Sequence, residues 1–373
     1  MMRILHIKNR LSYDGATIME YRCAKELEGE ICLDWFLFDD VVYELEQAFT
    51  DLGSIIYHAG HVKKKYNCKN STIALFRLLQ QGIYDTVYCD TDFSGRSVIL
   101  LLAKMAGVNR RVIHSHNSNT EGNSIPAIIH AFFKLLMRFS ATDYIACSQE
   151  AAHWLFPKSA WDETTILRNG ISVEEFKFYP EVRKKIRARY DIDDSCLVIG
   201  HVGRFTQVKN HIKLIGIFRE VANLYPDSKL MLIGNGEQEE RIRQKVKDLA
   251  LENSVSFLGL QNNVSNYLQA MDAFVLPSLF EGLSISLIEA ECSGLDTYLS
   301  STQSDESIIT CKTKKLGLEM DDLFWAQTIV DDFLSESQEQ RTRYRLDAWK
   351  EIKAAGYDIT DSCNVIRTLF SRQ

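Results

Sequence analysis

Several features are missing from this sequence, and each absence closes off a class of function. No segment of its 373 residues approaches the roughly 18 uninterrupted apolar residues that a membrane-spanning helix needs. The opening stretch, MMRILHIKNR, lacks the apolar run of a secretory signal, so neither export nor membrane integration is expected. The nine cysteines form no C-x-x-C pair, and an odd number cannot all pair within one chain, which fits a reduced, cytoplasmic setting. There is no excess of positive charge: 43 Lys and Arg stand against 50 Asp and Glu, a net charge of −7. Without a basic field, nucleic acid is not an expected partner. Fixed-period repeats and low-complexity tracts are absent as well.

What remains is the composition of an ordinary folded protein, 46% hydrophobic and 25% charged, in a chain long enough for two cores. Short apolar runs ending in polar or glycine residues alternate with helical patterns: RILHI, ICLDWFLF, SIIYH, YDTVYC, RVIHSH, DYIACS and TTILRNG. That alternation predicts parallel strands with crossover helices in a doubly wound α/β sheet. Between Ile171 and Ser195 the rhythm pauses in a charge-rich segment, then restarts with LVIGHVG, KLMLIGNG, VSFLG, AFVLPS and TYLSS. The expected domains are therefore residues 1–180 and 190–355, with 356–373 crossing back to the first. Two such halves facing each other would form a cleft at the carboxyl ends of their strands.

Two segments of the second half carry chemistry. In H-V-G-R-F-T-Q-V-K-N, Gly203 and Arg204 follow a strand, and Lys209 lies just before the next helix. A glycine turn with two cations suits a diphosphate, each charge-assisted contact contributing roughly 1.5–3 kcal/mol. In F-E-G-L-S-I-S-L-I-E-A, Glu281 precedes a helix start at Gly282, Leu283 and Ser284, and Glu289 lies one to two turns inside. Backbone N–H groups at such a helix start attract phosphate, while the carboxylates reach hydroxyl-rich groups. The bland alternatives are a solvated Arg–Lys loop, a capping Glu281 and an exposed helical Glu289.

The block from about Gly200 to Ser301 resembles the retaining nucleotide-sugar glycosyltransferases of family 4, which have the GT-B fold. The resemblance rests on V-G-R-F…K-N, G-N-G-E, F-L-G and E-G-L-S…I-E-A, in that order. The first half is similar to the branch that builds bacterial capsule and exopolysaccharide, through A-K-x-A-G-V followed by R-V-I-H-S-H-N-S. The resemblance implies Arg204 and Lys209 on the diphosphate, Glu289 on the ribose, and Glu281 with Gly282 to Ser284 at the transferred sugar and phosphate. Gly15, Gly203, Gly234, Gly236 and Leu260 complete the implied donor site, and His116 takes the cleft histidine position. His114, on the same side of the strand, is the alternative. The implied donor is a nucleoside diphosphate sugar, UDP-linked in preference to GDP-linked, and the implied acceptor a saccharide, free or lipid-linked. No cofactor is implied.

The leaving phosphate oxygen would take the acceptor proton on the same face, and closure of the two halves would exclude water. The chain departs from the family's pattern in two places. Its first glycine loop reads S-Y-D-G-A, with Asp14 before Gly15, and C-S-G-L-D stands at Cys292 to Asp296 in place of a Cys-Gly-x-Pro turn.

Three other signals point elsewhere. C-D-T-D, with Asp90 and Asp92, has the form of a metal-holding motif, but Arg204 and Lys209 already supply positive charge, so no metal is assigned. L-I-G-N-G-E-Q-E begins like a dinucleotide fingerprint, yet Glu239 stands at the third glycine position, against an NAD dehydrogenase. Lys63, Lys64, Lys65 and Lys69, with Lys134 and Arg138 in AIIHAFFKLLMRF, fit peripheral docking at the anionic inner face of a membrane; buried helices with a solvated edge are the other account. A sugar-nucleotide epimerase of the same architecture and a non-catalytic partner subunit are the competing functions.

Overall fold

The computed structural model describes residues 2–12, 15–39, 41–42, 44–59, 68–91, 93–116 and 126–371. The chain divides into two compact units, Met1–Gly170 with Ile359–Gln373, and Ile171–Asp358.

The first unit is built on seven strands, β1 (Met2–Lys8), β2 (Ile31–Leu37), β3 (Ile56–His58), β4 (Thr86–Thr91), β5 (Arg110–Ser115), β6 (Asp143–Ala146) and β7 (Thr165–Ile166). They pair in parallel in the order β3-β2-β1-β4-β5-β6-β7. The crossovers carry α1 (Gly15–Glu26), α2 (Glu44–Asp51), α3 (Cys68–Leu79), α4 (Ser97–Met105), α5 (Ala127–Ser140) and α6 (Gln149–Leu155). A sheet covered on both faces needs strands that are apolar almost throughout, and β4 is buried along its whole length. Side chains alternate between faces. Leu5, Ile7, Val87, Cys89 and Ile113 enter one core. By the same alternation His6, Lys8, Tyr88, Asp90 and His114 share the opposite face.

The second unit begins with α7 (Val173–Phe176) and α8 (Pro180–Arg189) and contains β8 (Leu197–Val202), β9 (Ser228–Ile233), β10 (Val255–Gly259), β11 (Ala273–Leu276), β12 (Asp296–Ser300) and β13 (Thr313–Leu316). These strands are also parallel, in the order β10-β9-β8-β11-β12-β13. Its other helices are α9 (His211–Leu224), α10 (Glu239–Asp248), α11 (Val264–Ala270), α12 (Ile285–Cys292), α13 (Asp322–Ser335), α14 (Gln338–Arg345) and α15 (Trp349–Ala354). In α9, Leu214, Ile215, Phe218 and Val221 recur at helical spacing and are buried against the sheet. The chain ends with α16 (Ile359–Ser371), which packs on α1 of the first unit.

The domain boundaries differ from those expected at 180, 190 and 355. The first division falls at Gly170 and Ile171, and the chain returns to the first unit at Ile359. The cause lies in the charge-rich segment, which is structural rather than a linker. Its Arg183 and Arg187 reach Asp272 at 2.6 and 3.1 Å, and Arg187 is almost fully buried. A bidentate network of this kind anchors α8 to the second unit. β13 and the helices from α13 to α15 had no counterpart among the apolar runs of the sequence.

Candidate functional site

In each sheet the strand order reverses beside the first strand of the unit, between β1 and β4 and between β8 and β11. Ligands of open α/β sheets bind at such switch points, beyond the carboxyl ends of the strands. Gly203, Arg204 and Lys209 follow β8, Glu281 follows β11 and Gly15 follows β1, whereas Leu260 follows the edge strand β10.

In the second unit, two loops meet after β8 and β9. Gly203 N donates to Ile233 O, Phe205 N to Asn235 O, and Gln238 N to Phe205 O, at 2.7–3.0 Å. Gly234 and Gly236 have φ of +133° and +158°. A Cβ on Gly234 would stand 2.1 Å from Gly203 O, and one on Gly236 within 2.8 Å of the Phe205 backbone. These glycines let one loop lie against the other, a packing role that the likeness to a dinucleotide fingerprint did not anticipate. Leu260, just after β10, is exposed, and its neighbour Gly259 accepts from Gly234 N at 2.9 Å.

Lys209 Nζ donates to both carboxylate oxygens of Glu281, at 2.7 and 2.8 Å, joining the loop after β8 to the loop after β11. Leu279 N donates to Val208 O, and Asn210, in the left-handed region at φ 54°, donates to Pro277 O. Arg204 is exposed, with Glu237 3.7 Å away. Gly282 and Leu283 lead into Ser284, the N-cap of α12; Ser284 makes no side-chain capping bond, its hydroxyl meeting Ser286 Oγ at 3.1 Å. Glu289 is buried within α12, which removes the reading of an exposed helical carboxylate. His201 and His211 were not singled out. His201 Nδ1 donates to Val275 O at 2.8 Å, its ring packs edge-on against His211, and burial lowers both histidines, His211 to about 4.

The first unit gathers a different set. Strand register places Asp90 beside His114 and His6 beside Tyr88. His116 follows β5; its Nε2 is 2.9 Å from Asp90 Oδ1, and its Nδ1 is buried with no hydrogen-bond partner among the described residues. His114 Nδ1 meets the Tyr88 hydroxyl at 2.8 Å and lies 3.4 Å from Asp90 Oδ1, its ring 3.8 Å from that of His116. On the other carboxylate oxygen, His6 Nε2 stands at 3.0 Å and Lys8 Nζ at 3.3 Å. Lys8 also bonds Glu20 Oε2 of α1 at 2.8 Å. His6 stacks on Trp35, with ring centroids 4.4 Å apart.

The charges of this cluster follow from burial and proximity. Burial alone would raise the Asp90 carboxyl, but His6, His116 and Lys8 hold it well below the usual carboxylate range. Burial and the Asp90 charge push Glu20 well above that range. Burial lowers His6, and burial with the nearby His116 lowers His114 to about 3. The cluster therefore favours a charged Asp90 beside Lys8, shifts Glu20 toward its protonated form and disfavours charge on His6 and His114. Two groupings have metal-ligating side chains close together, Asp90–His114–His116 and His6–Glu20–Asp90. The Lys8 ammonium on both carboxylates already supplies the positive charge a cation would bring, so the donor set fits a proton-and-ammonium network better than a divalent ion.

Gly15 opens α1 and is exposed. Asp14, Asp92, Lys63, Lys64 and Lys65 lie outside the described residues, as does the side chain of Lys69. On α5, Ile128, Phe132, Leu135 and Phe139 are exposed in a stripe, so this helix is not buried with only a polar edge. Arg138 there pairs with Glu163, and Lys134 Nζ approaches His153 O at 3.5 Å. No helix of the described residues is long and apolar enough to cross a membrane. Among the described residues Cys23, Cys32, Cys89, Cys196, Cys292 and Cys363 are buried free cysteines, and Cys311 is an exposed one.

Comparison with known proteins places these features. Residues 182–310 match the family model of glycosyl transferases group 1, a span that includes Arg204, Lys209, Glu281 and Glu289. A putative glycosyltransferase EpsF of Bacillus subtilis is 27% identical over 338 residues, covering 88% of this chain and 87% of that protein. A UDP-Gal:alpha-D-GlcNAc-diphosphoundecaprenol alpha-1,3-galactosyltransferase of Escherichia coli is 26% identical over 265 residues, 68% of this chain and 67% of that protein. Among solved structures, Anabaena Alr3699/HepE in complex with UDP superposes with a TM-score of 0.82 at 17% identity, over 100% of both chains. The fold is GT-B, two Rossmann-like parallel-sheet domains, and the matches support a glycosyltransferase.

Proposed function

We propose that the chain is a retaining, metal-independent glycosyltransferase that moves a sugar from a UDP-sugar to a saccharide acceptor, lipid-linked, in capsular or exopolysaccharide assembly. The observation that carries this reading is the Lys209–Glu281 pair joining the loops after β8 and β11 at the switch point of the second unit. With Arg204 exposed nearby and the first turn of α12 lacking a side-chain cap, this end of the sheet offers cations and backbone N–H groups for a diphosphate. Glu281 then faces the transferred sugar, and the buried Glu289 takes the ribose hydroxyls. The leaving phosphate oxygen accepts the proton of the attacking hydroxyl, while Arg204, Lys209 and the α12 N-terminus stabilise its charge.

The name of the Escherichia coli relative gives a UDP-galactose donor and a diphosphoundecaprenol-linked acceptor, which supports a UDP-sugar and a lipid-linked acceptor for this chain. The apolar stripe on α5, with Lys134 and Arg138 on the same helix, supports peripheral contact with the anionic inner face of a membrane, from the cytoplasm.

The test is a panel of UDP-, GDP- and ADP-sugars with a lipid-linked saccharide acceptor, with and without EDTA. The panel compares wild type with Lys209→Ala and Glu281→Ala and reads product anomers by proton NMR. Retention, turnover with UDP-sugars, indifference to EDTA and losses of about 10- to 100-fold in both variants are expected. Loss of activity in EDTA would sink metal independence, and unchanged variants would sink the site. Isomerised donor without acceptor would identify an epimerase.

A further inference from the structure

The resemblance gives His116 the cleft histidine position, and the buried groups around it have no role in the proposed function. Asp90 is 95% buried, on a strand buried along its whole length, and a carboxylate there is costly unless compensated. Each Asp90 oxygen faces a separate set of partners. Oδ2 faces His6 from β1 and Lys8 at its end, with Glu20 of α1 beyond them. Oδ1 faces the imidazoles of His114 and His116. One side of the carboxylate is thus occupied by the counter-charge, and the other is turned to the two histidines.

An ionised carboxylate can only accept hydrogen bonds. The nitrogen of His116 that lies 2.9 Å from Asp90 Oδ1 must therefore carry a proton, and in the neutral ring the lone pair is left on Nδ1. Among the described residues Nδ1 has no hydrogen-bond partner.

We propose that Asp90 is the positioning residue that fixes His116 as its Nε2–H tautomer and aims its ring, leaving Nδ1 as the accepting nitrogen of the imidazole. His6, His116 and Lys8 together favour the charged form of Asp90, and Lys8 also pairs with Glu20. Burial and the Asp90 charge both favour the protonated form of Glu20. The assignment rests on the cleft position that the resemblance gives His116, and it gives Asp90 of the C-D-T-D motif a function that requires no metal.

The experiment uses the full-length enzyme with 15N-labelled histidine. Long-range 1H–15N correlation spectra, assigned by a His116→Gln variant, report which ring nitrogen of His116 bears the proton. Steady-state kinetics follow wild type, Asp90→Asn, Asp90→Glu and His116→Ala. The wild type is expected to show the Nε2–H tautomer. Asp90→Asn can present either an oxygen or an NH2 group to the ring, so a mixed tautomer population is expected. With it kcat should fall about 100-fold while the donor KM changes less than about threefold, and Asp90→Glu should recover part of the loss.

A wild-type Nδ1–H tautomer would overturn the proposal, whether or not any variant folds. Asp90→Asn at full kcat, with His116→Ala inactive, would overturn it while leaving the role of His116 intact. An active His116→Ala would instead remove the reading of His116 on which it rests.

Discussion

The two units place their candidate chemistry at the same topological point, beside the first strand of a parallel sheet, but they build it from different materials. In the second unit the residues lie on loops beyond the strand ends. Arg204 is exposed, Lys209 and Glu281 are partly exposed, and paired glycines let the loops approach each other. In the first unit His6, Asp90 and His114 are on the strands themselves and are almost fully buried; Lys8 ends a strand, and Glu20 reaches in from α1. A loop site can leave its charges in water until a ligand arrives. A strand site must compensate them internally, which explains why a lysine and two histidines surround Asp90.

That contrast predicts opposite responses to charge removal. Lys8→Met should destabilise the protein by about 3 kcal/mol, because it leaves Asp90 uncompensated in a buried site. Arg204→Ala should stay within about 0.5 kcal/mol of wild type, since its nearest carboxylate is 3.7 Å away and both side chains are largely exposed. Urea denaturation of both variants checks the pair. Equal losses would erase the distinction between a loop site and a strand site.

The same distinction decides what could be read in advance. The second unit's loops announce themselves through residue types that strands avoid, glycine beside arginine and lysine, and glutamate before a helix start; the match to glycosyl transferases group 1 covers that region. The parallel, doubly wound character of the two sheets and most strand positions followed from apolar runs and their punctuation, whereas the strand order did not. The first unit's cluster was only partly legible. His114 and His116 were visible as a pair on one strand face, and Asp90 as part of a motif suggestive of metal. Their connection to His6, Lys8 and Glu20 depends on the register of β1, β4 and β5, which no local pattern records. A usable signal was present all the same: His6, Asp90 and His114 each interrupt an apolar buried strand near its carboxyl end. The domain boundary falls at the start of the charge-rich segment rather than within it, because Arg183 and Arg187 are held by Asp272 inside the second unit.

Glycine substitutions probe the comparison at the level of the backbone. Gly236→Ala should cost about 2 kcal/mol or more and abolish donor binding, because the new Cβ would meet the Phe205 backbone at 2.5–2.8 Å. In the first unit Gly29 has φ +83°, and a Cβ added there would meet nothing within 4 Å. Gly29→Ala should therefore cost only about 1 kcal/mol of conformational strain, with donor affinity unchanged. Calorimetry with UDP, beside thermal melts, separates the two effects. Retained UDP binding in Gly236→Ala would show that the close approach of the two loops is not what shapes the donor site.

The smallest expected effect concerns pH, and here too the units differ. In the first unit His114 is lowered to about 3, so its native state stays neutral where the unfolded chain takes up a proton, and stability falls as pH drops below about 6.5. In the second unit Glu291 of α12 runs the other way. Burial pushes its carboxyl up to about 7, against hydrogen bonds that Oε1 accepts from Ile309 N and Thr310 N at 3.1 and 3.3 Å and from the Thr313 hydroxyl. Its Oε2 is buried without a partner. Between the usual carboxylate range and pH 7 the native state keeps a proton that the unfolded chain has lost. Stability contributed by Glu291 is thus present at low pH and declines as pH rises through that window, by at most about 3 kcal/mol and more realistically about 1. Glu291→Gln keeps an oxygen to accept from the 309–313 segment and cannot ionise. The difference in unfolding free energy between the variant and wild type should therefore grow in the variant's favour from pH 5 to pH 8, while the contribution from His114 cancels. A constant difference across that range would place the proton elsewhere and leave the buried carboxylate ionised throughout.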